Sequence, residues 1–356
     1  MEQTPLNKIH KKMGAKMINF YGWEMPLQYS SIIEEHKAVR NNCGLFDVSH
    51  MGEILIKGEE ASINVQKLIT NNINKIENGK ALYTPMCRED GGIIDDLLVF
   101  QLNQKMYLLV VNASNIEKDF NWITQNINGS CKVENISNDF ALIAVQGPES
   151  ENILAELFFS DIKSLKSFQF IKTKFENKEI LISKTGYTGE TGFELFSPPD
   201  KIEKIWNMIM TQKEKYNILP TGLGARNTLR LEKKLCLYGN DITEDNHPFE
   251  AGLGWTVDLT KEFKGKESLI NIKEKGFDNI LSGFIMKERG IPRKDYLIQK
   301  GNQNVGIVTS GSYSPSLDEN IGIGYLNKKY SSPGTEINII IRDKKYKAEV
   351  VEMPFV

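Results

Sequence analysis

The sequence predicts a mixed α+β protein, with two successive ferredoxin-like α+β modules followed by a small all-β, barrel-like domain. Three observations carry that expectation. A β-α-β-β-β-α-β order is legible between residues 53 and 136. The pattern nearly repeats from Phe140 to Ile209. Beyond residue 280, short apolar stretches alternate with Gly, Pro, Asn and Asp, as in small β domains. The 356 residues are 40% hydrophobic and 25% charged, which fits a globular chain of two or three domains.

Each element has a local reason. Ser31-Ile-Ile-Glu34 is a capping box, followed at helical spacing by Ile32, His36, Val39 and Cys43, with Gly44 as the stop. Glu53–Lys57 alternates, with Ile54 and Ile56 on one side, as a half-buried strand does. Residues 60–70 are helical through Val65, Leu68 and Ile69. Leu82–Cys87, Ile93–Leu102 and Met106–Val111 read as strands, the first two joined at Gly91-Gly92. A second capping box, Ser114-Asn-Ile-Glu117, opens a helix carrying Ile116, Phe120 and Ile123, and a strand at Cys131–Ile136 closes the module. In the second module Phe140–Gln146 is a strand, and Pro148 stands where a helix start tolerates it, ahead of Ile153, Leu154, Leu157 and Phe158. Strands follow at Phe168–Phe175, Glu179–Ser183 and Phe193–Phe196. Asp200 then caps a helix that turns Ile202, Ile205, Trp206 and Ile209 inward. Leu281–Met286, Val305–Thr309, Ile321–Tyr325, Ile337–Ile341 and Ala348–Val351 supply the strands of the last domain.

Several function classes lose support. Forty-four basic and 46 acidic residues give a net charge of −2, without the basic field that nucleic acid attracts. No apolar run reaches the roughly 18 residues that a membrane span needs. The N-terminal segment has no apolar signal-peptide region, and Glu2 argues against a transit peptide, so a cytoplasmic chain is expected. Cys43, Cys87, Cys131 and Cys236 form no Cys-x-x-Cys pair, and the four histidines form no His-x-x-x-His pair, so no metal site is expected. Asp47-Val-Ser-His50 invites a Ser-His-Asp reading, but a triad is a matter of geometry and no G-x-S-x-G elbow occurs. Gly222-Leu-Gly224 lacks the third glycine of a dinucleotide fingerprint, Gly186–Gly192 has the wrong spacing, and no P-loop is present; no nucleotide is expected.

Polar residues inside apolar, strand-like text are more telling. Asp95 and Asp96 lie between Ile93-Ile94 and Leu97-Leu98-Val99, and alternation turns one of them inward. An inward carboxylate needs a partner or a task; the other reading is an aspartate that closes the Gly91-Gly92 turn. Glu194, between Phe193 and Leu195, is either a strand-exposed glutamate or a fixed acceptor for two parallel N–H groups. The edge of a 2-amino-4-oxo ring such as guanine or pterin presents that pair. Arg226 is either a solvated helix charge or a bidentate partner for a carboxylate. Tyr83, Phe100, Tyr187 and Tyr238 are core aromatics or stacking walls.

Six motifs then occur in order: Phe20-Tyr-Gly-Trp-Glu-Met-Pro26, Phe46-Asp-Val-Ser-His-Met-Gly52, Gly91-Gly-Ile-Ile-Asp-Asp96, Gly186-Tyr-Thr-Gly-Glu190, Gly222-Leu-Gly-Ala-Arg226 and Leu237-Tyr-Gly-Asn-Asp241. Together they resemble the aminomethyltransferases of the glycine cleavage system, the T-proteins, from about residue 4 to the C-terminus. The resemblance implies a three-lobed fold around a central channel that holds tetrahydrofolate as acceptor substrate. Its domains would be residues 1–50 plus 140–275, 51–139, and 276–356. It implies transfer of a methylene from an aminomethyl group on a lipoylated H-protein, giving 5,10-methylenetetrahydrofolate and ammonia. The family's essential aspartate matches Asp96, its pterin-binding glutamate Glu194, and its arginine for the glutamate tail Arg226. Asn112 and Tyr187 match further pocket positions, and Met51, Leu55, Tyr83, Phe100 and Val110 match the wall. The chain departs from the pattern at Asn227, where the family usually has Asp, at Phe100, which is Tyr in some relatives, and at Gly189-Glu-Thr-Gly192. The alternative is a folate-dependent demethylase of a small sulfonium or N-methyl compound. Against it, the Phe20–Pro26 and Phe46–Gly52 segments favour the glycine-cleavage branch.

Overall fold

Alternation along Glu53–Lys57 turns Ile54 and Ile56 to one side of a strand, and both are fully buried there. The computed structural model, which describes residues 1–158 and 161–356, places this strand in a five-stranded sheet. The order is Lys80–Cys87, Ile93–Asn103, Met106–Val111, Gly52–Lys57, Lys132–Asn135. Gly52, on the Ile54 side, lies against Ile116 of the helix Ile116–Asn126. The register pairs Glu53 and Leu98 with Val110, and Leu55 and Phe100 with Leu108, so these six residues share the opposite face.

By internal contacts the chain divides into two compact units. One comprises Met1–Val65, Ile73–Tyr83 and Leu97–Asn227; the other comprises Gln66–Asn72, Thr84–Asp96 and Thr228–Val356.

The first unit also holds a six-stranded sheet, ordered Phe170–Phe175, Lys178–Ser183, Gly192–Ser197, Ala141–Gln146, Cys43–Asp47, Ile218–Pro220. Its presence corrects the reading of Cys43 and Gly44 as a helix end. The helix is Ile32–Asn41, and Cys43–Asp47 pairs antiparallel with Ala141–Gln146 and parallel with Ile218–Pro220. Strand pairing overrides a local helical spacing that has no periodic partner beyond Asn42. One face of this sheet, with Cys43, Leu45, Ile143, Val145, Phe193 and Leu195, packs on Ile153, Leu154, Ile202, Ile205, Trp206 and Ile209. The other face carries Glu194 and Phe196. The Phe196 ring meets Phe100 at 5.5 Å between centroids, so within this unit the Glu194 face of the six-stranded sheet meets the Phe100 face of the other.

Two caps differ from expectation. Ser31 Oγ accepts the Glu34 N–H at 3.2 Å as its motif requires. The Ser114 box does not form, because a 3-10 turn at Ala113–Asn115 takes its place and Asn115 caps the helix without a side-chain bond. Asp200 lies within the first turn of the helix Pro199–Met210, where Pro199 fixes the start. The N-terminal region forms a helix Asn7–Lys12 and a three-stranded sheet of Glu2–Gln3, Trp23–Gln28 and Lys16–Phe20.

In the second unit the C-terminal strands close into a six-stranded barrel: Asn279–Met286, Glu319–Asn327, Gln303–Ser314, Leu297–Lys300, Glu336–Ile341, Lys344–Val351. Closure leaves no edge strand to pair with another chain. Leu297–Lys300 is the strand the sequence did not show; only Ile298 of its four residues is buried. The barrel core is Phe284, Met286, Ile298, Val308, Leu326, Ile337, Ile339 and Val350. All four cysteines are free, Cys131 alone being partly open. Among the described residues no helix is long and apolar enough to cross a membrane.

Candidate active site

Glu194 stands on the face of its strand that turns away from the helices. Thr185 donates its hydroxyl to Glu194 Oε2 at 2.5 Å. Burial raises the Glu194 pKa above the ordinary carboxylate value, while the Thr185 hydrogen bond and the Arg226 charge pull it back. Thr185 begins a loop organised around Gln146. The Gln146 amide donates to the carbonyls of Thr185 (3.1 Å) and Phe193 (3.3 Å), and it accepts from the Thr188 hydroxyl at 2.9 Å. A Cβ at Gly186 or Gly192 would come within 2.0 Å and 2.3 Å of that amide, so glycine at both positions leaves Gln146 room to hold its bonds. Arg40 holds the far side of the loop through the Thr188 carbonyl (2.6 Å) and Glu190 (2.9 Å).

Tyr187, on the same loop, lies under Arg226, whose guanidinium carbon is 4.5 Å from the ring centroid. Arg226 belongs to the helix Leu223–Glu232. The start of that helix is anchored by the buried Glu35, whose Oε2 accepts the Gly222 N–H at 2.8 Å while Oε1 accepts those of Tyr29 and Ser30. The Arg226 charge also acts on His50. Burial first, with Arg226 adding and Asp47 opposing, pushes the His50 imidazole down to about 4, so it is neutral at pH 7.

His50 is not part of a nucleophilic triad. Asp47 accepts from Thr4 (2.6 Å), bonds His10 (2.8 Å) and accepts the Ser49 N–H, while the Ser49 hydroxyl bonds the Leu142 carbonyl. The motif is thus a corner that leads from the six-stranded sheet into the five-stranded one. Met51 sits at its end, partly open, and Leu55, Phe100 and Val110 lie on the shared sheet face. Phe100 is fully buried between Phe170 and Phe196, 5.5 Å from each. Tyr83 and Asn112 are partly open, Asn112 capping the 3-10 turn after Met106–Val111.

The structure therefore brings Glu194, Arg226 and Tyr187 together in the first unit, with His50 beside Arg226. Asp96 belongs to the second unit. Asp95 is fully buried and Asp96 half-buried, as alternation requires. Near Asp96, burial above all, then Asp241 and Asp96 itself, push the Cys236 thiol far above its ordinary pKa, which leaves it un-ionised and unreactive. Tyr238 is a core residue, its hydroxyl donating to the Ile93 carbonyl at 3.0 Å. The Leu237–Asp241 motif is a clamp as well: Asp241 pairs with Arg230, and it accepts from the Thr309 hydroxyl (2.6 Å) and the Leu237 N–H (3.0 Å). Among the described residues no group of three His, Cys, Asp or Glu side chains is placed to hold a metal.

Thr185, Gln146, His50 and Glu53 complete this region, and sequence reasoning did not single out Thr185, Gln146 or Glu53. Glu53 Oε1 has no hydrogen-bond partner, and burial alone raises its pKa well above the usual range. An acid next to Ile54 on a strand whose centre is apolar was the available signal.

Comparison with known proteins decides the affiliation. Residues 6–261 match the GCVT N-terminal domain, and residues 280–356 match the glycine cleavage T-protein C-terminal barrel domain. The chain belongs to the glycine cleavage T-protein family. An aminomethyltransferase of Halothermothrix orenii is 54% identical, covering 100% of both chains. One from Desulforamulus reducens is 49% identical over 100% of this chain and 98% of its own. The crystal structure of the glycine cleavage system aminomethyltransferase T from Bartonella henselae superposes with a TM-score of 0.94 at 31% identity, covering 100% of this chain and 98% of that one. The T-protein likeness thus spans both units, including the barrel.

Proposed function

We propose that this chain is a tetrahydrofolate-dependent aminomethyltransferase of the glycine cleavage system. It moves the methylene of an aminomethyl group, carried on the lipoyl sulfur of an H-protein, to tetrahydrofolate. The products are 5,10-methylenetetrahydrofolate, ammonia and the dihydrolipoyl carrier. The observation that carries this reading is the full-length likeness to aminomethyltransferases, 54% identical from end to end. The demethylase alternative is not favoured, since the curated relatives bear the aminomethyltransferase name.

The residues fit such chemistry. The folate N5 is itself the nucleophile, so the protein has to orient the acceptor and manage a proton rather than supply a nucleophile. Orientation alone can be worth on the order of 7–11 kcal/mol. Glu194, with one oxygen held by Thr185, offers the other to the paired N–H donors of the pterin edge. Arg226 supplies the cation for the carboxylate of the glutamate tail, its plane fixed by Tyr187. Asp96 orients the folate on its N10 side or relieves a proton. Met51, Leu55, Tyr83, Phe100, Val110 and Asn112 form the wall. The H-protein is the partner, and the cytoplasm is the compartment. Incubation with aminomethyl-loaded H-protein and tetrahydrofolate should yield 5,10-methylenetetrahydrofolate and ammonia in equal amounts. Folate binding without either product would overturn the transferase reading.

A further inference from the structure

We infer that Thr185 is a positioning residue: its hydroxyl fixes the Glu194 carboxylate in one orientation and leaves the second oxygen, Oε1, for the acceptor ring. The inference rests on the folate reading above and adds a residue to it. A threonine hydroxyl has one proton, and the 2.5 Å contact to Glu194 Oε2 commits that proton to the carboxylate. The same hydroxyl lies 3.1 Å from Oγ of the fully buried Ser183, which holds Thr185 from its other side. Ser183 and Glu194 are also direct cross-strand partners, so the chain Ser183–Thr185–Glu194 is built into the register of two strands. Thr185 itself is 7% exposed, and its carbonyl is held by the Gln146 amide. It is therefore fixed from both sides and reaches Glu194 at no further cost in side-chain order.

The charged and titratable groups around Glu194 are few. Arg226 acts on it from the helix Leu223–Glu232 and favours the ionised form; beside Arg226 lie the Tyr187 ring and the neutral His50. With the hydroxyl removed, the desolvated carboxylate loses the Thr185 hydrogen bond and takes up a proton at higher pH.

The test is the tetrahydrofolate affinity of the full chain between pH 5.5 and 9, with kcat and KM measured on aminomethyl-loaded H-protein. Thr185→Val should weaken affinity by about ten-fold at pH 7, as expected for a lost hydrogen bond to a charged group. It should also move the acid limb of binding to higher pH and change KM far more than kcat. Thr185→Ser, which keeps the hydroxyl, should restore both affinity and limb. A Thr185→Val protein with unchanged affinity and limb overturns the inference, as does a Thr185→Ser protein that behaves like Thr185→Val. Wild-type protein that binds no tetrahydrofolate withdraws the folate reading itself, and the positioning role with it.

Discussion

Two glutamates inside the protein, Glu194 in the first unit and Glu232 in the second, are treated differently. Glu232 Oε1 accepts from the Ser314 hydroxyl (2.5 Å) and the Ser316 N–H (3.2 Å), and Oε2 accepts from the Ser316 hydroxyl (2.7 Å). Two residues earlier on the same helix, the buried Arg230 pairs with Asp241 and donates to Ser310 and to the Leu235 carbonyl. Glu194, in contrast, has the Thr185 hydroxyl, and in the same unit His50 Nδ1 and Glu53 Oε1 have no hydrogen-bond partner. A buried polar group whose bonds are complete holds a fold together. One left incomplete costs about 1–3 kcal/mol and persists where function needs it. The cluster that joins barrel and helix is therefore structural, and the inter-sheet face of the first unit is the place for a ligand.

The sharpest way to break this division is chemical. Asp96→Asn should lower turnover by roughly 10²–10⁴-fold, the usual weight of a positioned acid–base group, with tetrahydrofolate affinity changed only a few-fold. Near-normal turnover would remove Asp96 from the chemistry.

Next in size is the clamp. Arg230→Met leaves Asp241 buried without its cation and should cost about 3–5 kcal/mol of stability, seen as a lower urea midpoint at unchanged slope. A loss below about 1 kcal/mol would contradict the structural reading of the second unit.

Glu194→Ala should do the reverse. Its folate affinity should fall by about ten- to hundred-fold, from the loss of a charge-assisted pair, while the melting temperature stays within a few degrees of wild type. Unchanged affinity removes Glu194 from the pterin site.

The smallest expected effect is at Glu53. Its folded-state pKa is raised above the unfolded value by burial, so its share of stability is complete below the unfolded pKa near 4.5 and is lost as pH rises toward the folded value. Glu53→Gln should therefore match wild type at pH 4 and exceed it by about 1 kcal/mol at pH 8. Denaturant unfolding at the two pH values reads the difference, and a gain independent of pH would show that Glu53 is ionised in the fold.

Legibility in the sequence followed the range of the interaction. Strands with clear alternation, such as Gly52–Lys57, and helices with a full apolar face, such as Pro199–Met210, were readable because period and burial agree. Cys43–Asp47 was not, since all five of its residues are buried and nothing alternates. Leu297–Lys300 was too short to show a pattern. The Ser114 box failed because a 3-10 turn used the same residues. Among site residues Glu194 could be named as a lone acid between Phe193 and Leu195. Thr185 could not, because a threonine next to a glycine has many ordinary uses.

By itself, then, the sequence determined the class of fold, the order of most elements, the family resemblance and the residues that stand out chemically. These are properties of local period and of residue type. Only the tertiary structure decided which strands from distant segments complete the six-stranded sheet, and that the Asp47-Val-Ser-His50 motif is a corner rather than a triad. It also decided which buried charges are closed by partners and which are left with a free oxygen. Hydrogen-bond completeness is a property of neighbours brought together across the chain. The 68 positions that separate Asp241 from Thr309, in contrast to the nine between Thr185 and Glu194, leave no trace in spacing.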